Sequence, residues 1–259
     1  MQTQAIGAPV LPVPAAPLSP PVIGIAAPAA PDAFLEALLR GIEAEAPRHQ
    51  ATLEVKRAQA QAQSLQQFFS REVDAAVLVT NQPEGWAGVL AMAGNAEVPV
   101  LVLGQGVQGD ANQLLAARLV PDLTAFGQTL LERAGQRGIL ELQTTGVPRP
   151  FWRDRLPITV LAKQSAASLV EARRSTSALA NVFGDQVGLA ITYDPQIRTG
   201  AAEALAYHNQ GAPVPVLDLA SMVKPAEGSA SVVFETINRL RQGERVEAEI
   251  LFPLVFDIE

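Results

Sequence analysis

The chain has 259 residues, 19 lysines and arginines against 26 aspartates and glutamates, and no cysteine. That length makes one or two domains with a large core. A net charge of −7 excludes non-specific binding to nucleic acid or anionic membrane, and the missing cysteine excludes disulfides, thiol nucleophiles and thiolate metal sites.

Residues 2–21 are rich in Ala and Pro, uncharged and without periodicity, which predicts an extended tail. The segment lacks the basic start and unbroken apolar centre of a signal peptide, and fits the mature end left after such a signal is removed. Beyond it, no stretch approaches the ~20 apolar residues of a membrane span.

Residues 22–46, VIGIAAPAAPDAFLEALLRGIEAEA, open on small and β-branched apolar residues, a strand that expects cover on both faces. A Pro- and Ala-rich turn follows, with Asp32 at a helix N-cap position. Phe34, Leu35, Leu38, Leu39, Ile42 and Ala46 then recur at helical spacing, with Arg40, Glu43 and Glu45 on the other side. This is a first β-α unit, with its loop where open α/β sheets bind ligands.

The alternation continues with strands at 51–56, 73–80 and 98–103, and helices at 59–72 and 83–94, the latter with Pro83 at its first position. A second series follows: a short strand at 119–122, a helix at 123–134, a strand at 138–142 and an irregular segment at 144–156. Strands at 158–162 and 187–192 alternate with helices at 165–183 and 200–209. Residues 214–223 read as a strand, 229–242 as a helix and 248–258 as a last strand. The class is α/β, with parallel sheets covered on both faces.

Enzyme motifs are sparse. Gly104, Gly106 and Gly109 match G-x-G-x-x-G after a strand, and Asp122 stands near the position of a dinucleotide ribose carboxylate, but only a short segment is free for the helix that the fingerprint needs. His49 and His208 stand alone on polar helix ends and read as solvated surface, with no partner at metal-ligand spacing. Ser229 and its neighbours read as helix capping, and Glu43/Glu45 and Glu247/Glu249 are not acid/base pairs. No cofactor is expected.

Polar residues at the carboxyl ends of strands form a different pattern. Thr80, Asn81 and Gln82 follow one strand, Tyr193 and Asp194 another, and Asp218 closes a third; Asp32 and Phe34 follow the first. Arg149, Arg153 and Arg155 occupy the irregular segment with Trp152. Carboxylates, amides and guanidinium groups beside an aromatic face suit a polyhydroxylated ligand. The same residues also serve turns and caps.

Taken together, Ile23-Gly-Ile25, Asp32-Ala-Phe34, Gly41-Ile-Glu43, Val73-Asp74-Ala-Ala-Val77, Gln82-Pro-Glu-Gly85, Val98-Pro-Val-Leu101, Val120-Pro-Asp122, Tyr193-Asp194, Gly200-Ala-x-x-Ala204 and Leu240-x-x-Gly243 resemble periplasmic sugar-binding proteins of the ribose/galactose type. That type I periplasmic binding protein fold is shared with lac-repressor-family effector domains. The resemblance implies two doubly wound parallel-sheet lobes, 22–121 plus 225–251 and 122–224 plus 252–259, joined by a three-strand hinge. Residues 1–21 remain a disordered tail.

The resemblance makes Phe34 a sugar-stacking aromatic and Leu35 the replacement of a second one. It puts Gln82 where a carboxylate is usual, Tyr193-Asp194 at an Asn-Asp pair, Asp218 at a late aspartate and Lys224 near the hinge. The family's arginine-bearing helix in the second lobe is lost, leaving Arg149, Arg153 or Arg155 as substitutes. The implied function is extracytoplasmic capture of a sugar or similar polar ligand, without catalysis, by a monomer that delivers it to an ABC transporter permease or a chemoreceptor. The alternative is an effector-sensing domain of a transcriptional regulator or receptor. On either reading Phe34→Ala and Asp194→Ala are expected to weaken ligand binding without unfolding the chain.

Overall fold

The structure, a computed structural model, describes residues 19–80, 84–104, 106–146, 150–208 and 213–257. Strand β1 (Val22–Ala27) leads to helix α1 (Ala33–Glu45), whose first turn is closed by Asp32 accepting from the Leu35 amide at 2.8 Å. Then come β2 (Thr52–Arg57), α2 (Gln61–Phe69), β3 (Ala75–Thr80), α3 (Ala87–Asn95) and β4 (Val100–Gly104). A 3-10 helix, Gly109–Leu114, precedes β5 (Ala117–Pro121).

The chain continues with α4 (Thr124–Ala134), β6 (Gly138–Thr144) and a 3-10 turn, Phe151–Arg155. Next are β7 (Val160–Ala166), α5 (Leu169–Phe183), β8 (Val187–Thr192), α6 (Pro195–His208) and β9 (Val216–Asp218). The closing elements are α7 (Leu219–Met222), β10 (Val223–Pro225), α8 (Ser231–Arg241), β11 (Glu249–Phe252) and β12 (Leu254–Phe256).

Six strands form one parallel sheet in the order β11-β5-β4-β3-β1-β2, and four form a second in the order β7-β6-β8-β9. Strands β10 and β12 pair antiparallel where the chain passes between the sheets. It makes that passage after β5, at β10 and at Pro253. These are the two doubly wound lobes and three crossings expected from the sequence.

Burial explains the strand composition. Ile23, Ile25, Val77, Val79, Leu101 and Leu103 pack toward α1, while Ala26, Ala76, Leu78, Val100 and Val102 pack with Leu65, Phe68, Val89 and Leu90 on the opposite face. A strand covered on both sides reads as a continuous apolar run. In the second sheet Leu140, Leu142, Ala190 and Val216 share a cluster with residues of α5 and α6. Its other face, with Ile139, Leu189, Ile191 and Leu217, joins a cluster continuous with the first lobe. Gly188 marks the tightest approach there, since a Cβ would stand 2.1 Å from the Ala134 carbonyl oxygen.

Several boundaries differ from the sequence reading, each for a local reason. Residues 214–223 are not one strand: the Asp218 carboxylate accepts from the Ala220 amide at 3.2 Å and starts α7. The final strand breaks at Pro253, which has no N–H for a ladder, and its halves pair in different sheets. Strand β7 runs to Ala166 because the helix begins only at Ser168, whose Oγ accepts from the Glu171 amide while Glu171 returns to the Ala167 amide. Helix α6 starts earlier than expected, on Pro195. Among the described residues, no helix is long and apolar enough to cross a membrane.

Candidate functional site

The second sheet carries a charge where its neighbours are apolar. Along β6 the side chains alternate, and Glu141 shares the face of Ile139 rather than that of Leu140 and Leu142. In the register Glu141 pairs with Ile191 of the neighbouring strand, and Tyr193 follows two residues later on the same face. Glu141 is fully buried. A bare carboxylate there would be expensive, so the surroundings supply partners.

Arg153, on the 3-10 turn, donates Nε to one Glu141 oxygen at 3.0 Å and Nη2 to the other at 2.6 Å. This two-point geometry suits a guanidinium and a carboxylate. The Tyr193 hydroxyl donates to Glu141 Oε1 at 2.9 Å, Gln143 adds an amide at 3.3 Å, and the Lys163 ammonium stands 3.8 Å from Oε2. Burial alone would raise the Glu141 carboxyl, but Arg153, Tyr193 and Lys163 outweigh it and hold the group below the usual carboxylate range. Burial and the Glu141 charge push the Tyr193 phenol far up, so it remains a donor.

The sign of the pH dependence follows. A carboxyl with a lowered folded value contributes stability that is complete above its unfolded value and is lost as pH falls through the folded one. We expect the urea midpoint to fall below about pH 4.5, the ordinary Glu value, and to fall less steeply in Glu141→Gln. Identical acid limbs would show that the carboxyl is unpaired. Asp218 works in the opposite direction: burial, with a smaller contribution from the Asp194 charge, raises its carboxyl, so its share declines as pH rises. Comparing the two proteins isolates Glu141.

An aromatic group adjoins this knot. Phe34, at the first turn of α1, meets Phe151 edge to face at 5.7 Å and Phe252 at 6.3 Å. Phe126 of α4 meets Trp152 at 6.2 Å and Phe256 at 5.0 Å. The rings of Phe34, Phe151, Trp152 and Phe252 are all buried. The turn Phe151–Arg155 thus covers the sheet face on which Glu141 stands, between strands that a full helix would ordinarily connect.

The sequence-derived site residues separate into three groups. Phe34 joins the aromatic group, while Arg153 and Tyr193 converge on Glu141. Asp32, Asp194 and Asp218 act as caps, Asp194 accepting from the Gln196 and Ile197 amides at 2.7 and 3.2 Å. Lys224 is an exposed residue of β10. Asn81, Gln82 and Arg149 fall outside the described residues, as does most of the Ala/Pro tail. Glu141 escaped the sequence reading. Its signal was a single charge inside GILEL, a strand otherwise read as buried.

The glycine loop leads elsewhere than to a nucleotide. Gly104 has φ +113°, with Thr80 backbone where a Cβ would go, and the loop feeds a six-residue 3-10 helix rather than a long α-helix. The Asp122 carboxylate accepts from the Thr124 amide at 3.0 Å. His49 is less solvated than expected: its ring stacks on Phe234 at 4.5 Å and 7°. Among the described residues, no cluster of three or more His, Asp or Glu is placed to hold a metal ion.

No family model and no curated protein matches the chain by sequence. Solved structures do match by fold. A periplasmic ribose ABC transporter protein from Conexibacter woesei superposes with a TM-score of 0.68 at 13% identity, covering 91% of each chain. A periplasmic solute-binding protein from Actinobacillus succinogenes, with bound D-allose, gives 0.64 at 15% identity over 92% of this chain and 97% of its own. A solute-binding protein from Bacillus halodurans, with bound myo-inositol, gives 0.61 at 17% identity over 92% and 94%. The chain has the type I periplasmic binding protein fold.

Proposed function

We propose that the chain is an extracytoplasmic solute-binding protein, working without catalysis, that captures a sugar or similar small polar ligand between its lobes and presents it to an ABC importer. The observation that carries this reading is the architecture. Two parallel sheets are joined by three crossings over nearly the full length of proteins whose solved structures contain sugars or polyols. In such sheets ligands bind outside the carboxyl ends of the strands, and β1, β8 and β9 end on Asp32 and Phe34, Tyr193 and Asp194, and Asp218. The lobes would comprise 22–121 plus 225–251 and 122–224 plus 252–259. A ligand reaches Phe34 when they part about the crossings, and closure is a hinge motion.

A thermal-shift screen with pentoses, hexoses, disaccharides, polyols and nucleosides, together with NAD and ATP, tests the reading. A ligand at 100 times its Kd adds about 2.7 kcal/mol of stability, a readily visible rise in midpoint. One sugar or polyol class should shift it. A shift confined to nucleotides, or no shift across the panel, would overturn the proposal.

A further inference from the structure

The turn Phe151–Arg155 is five residues long, and its side chains divide between the two lobes. Two of them fix it to the second. Arg153 forms the double hydrogen bond to buried Glu141, and Trp152 packs edge-on against Phe126 of α4. The outer two cross. Phe151 sets its ring against Phe34, which itself packs on Phe252 at the end of β11. Arg155 donates to one carboxylate oxygen of Glu249, while Arg118 of β5 donates to the other at 2.6 Å. Glu249 and Arg118 both belong to the first sheet.

We infer that residues 151–155 form a strap that fastens the second lobe to the first through Phe151 and Arg155, with no ligand needed to bridge them. Two chemically different contacts leave one short anchored segment for the same neighbouring lobe. The apolar one is buried, with Phe151 and Phe34 each 6% exposed. The ionic one is partly solvated and so sensitive to salt. A rigid turn held at Glu141 cannot follow the first lobe when the lobes part, so opening must break both contacts together. The strap rests on the two-lobed fold and not on the identity of any ligand. Its consequence for a binding protein is that a ligand competes with a built-in closed form, which lowers its apparent affinity.

The chain contains no cysteine, so paired labels can be introduced cleanly. Met92 on α3 and Val182 on α5 are exposed, one on each lobe. Spin labels on Met92→Cys/Val182→Cys, read without added ligand, should give one narrow distance population. Adding Phe151→Ala/Arg155→Ala should raise a longer-distance population about tenfold. A broad distribution in the parent, or a parent-like one in the doubly released and folded variant, would overturn the strap. Should the double release prevent folding, Glu249→Gln and high salt decide the matter. Each should raise the longer-distance fraction about two- to fivefold, and no change in either would overturn the inference. A silent sugar panel would leave these distances untouched, so the two readings fail separately.

Discussion

Arg153→Met is expected to destabilise the chain by about 3–5 kcal/mol, since it leaves the Glu141 carboxylate buried without its principal partner. Glu141 is fully buried and Arg153 nearly so. Lys163, at 3.8 Å and half exposed, is too distant and too well hydrated to substitute. The informative comparison is the double variant Glu141→Leu/Arg153→Met, in which the charge is removed with its partner. Replacing a buried pair by apolar residues of similar volume is often neutral or stabilising, so most of the loss should return. One penalty persists, because the Tyr193 hydroxyl loses its acceptor, and an orphaned buried donor costs about 1–3 kcal/mol. Adding Tyr193→Phe should recover that part. Urea midpoints of the four proteins check the series. Single and double variants of equal stability would show that the knot is not coupled as its geometry requires.

This cluster shows where sequence reading stops. The strand cores were legible because a parallel sheet covered on both faces writes itself as apolar runs, as in VLVLG of β4. The Asp32 cap was legible because capping is local. Glu141 was not, because its partners come from 12 and 52 residues away. No local rule links GILEL to FWRDR and to Tyr193. Arg153 was read as a group for a ligand; in the structure it serves the fold. The same holds for Asp194 and Asp218, whose carboxylates sit at strand ends as a ligand site requires, yet accept amides of the helices that follow. Turn chemistry and ligand chemistry select the same residue types. Only three-dimensional placement separates them.

The lost helix between β6 and β7 has a structural successor. A helix would bring its own apolar stripe to the sheet face, whereas a five-residue turn brings far fewer side chains. The face is nevertheless closed, because those side chains include Phe151 and Trp152 and because Arg153 neutralises the one charge beneath it. Shortening the connection thus exchanged an amphipathic helix for aromatic bulk, and placed that bulk within reach of the first lobe. One deletion accounts for both the buried ion pair and the contact between the lobes.

Phe34→Ala is the second large effect, and its expected form differs from what the sequence implied. A sugar-stacking ring exposed in a cleft could be removed with little effect on folding. Phe34 is instead packed between Phe151 and Phe252, and truncating a buried Phe costs about 3–5 kcal/mol through lost transfer free energy and the cavity left behind. The edge-to-face partner adds about 0.5–1.5 kcal/mol beyond area burial. Phe34→Leu, which keeps much of the volume, should lose about 1.5 kcal/mol or less. Because whole proteins hold only about 5–15 kcal/mol, the alanine variant remains folded in dilute buffer but with its urea midpoint well below the parent's. Any loss of ligand binding in it has to be read against the folded fraction. An alanine variant with the parent's midpoint would mean that the ring is not packed between the lobes. It would return Phe34 to the ligand and remove the apolar half of the strap.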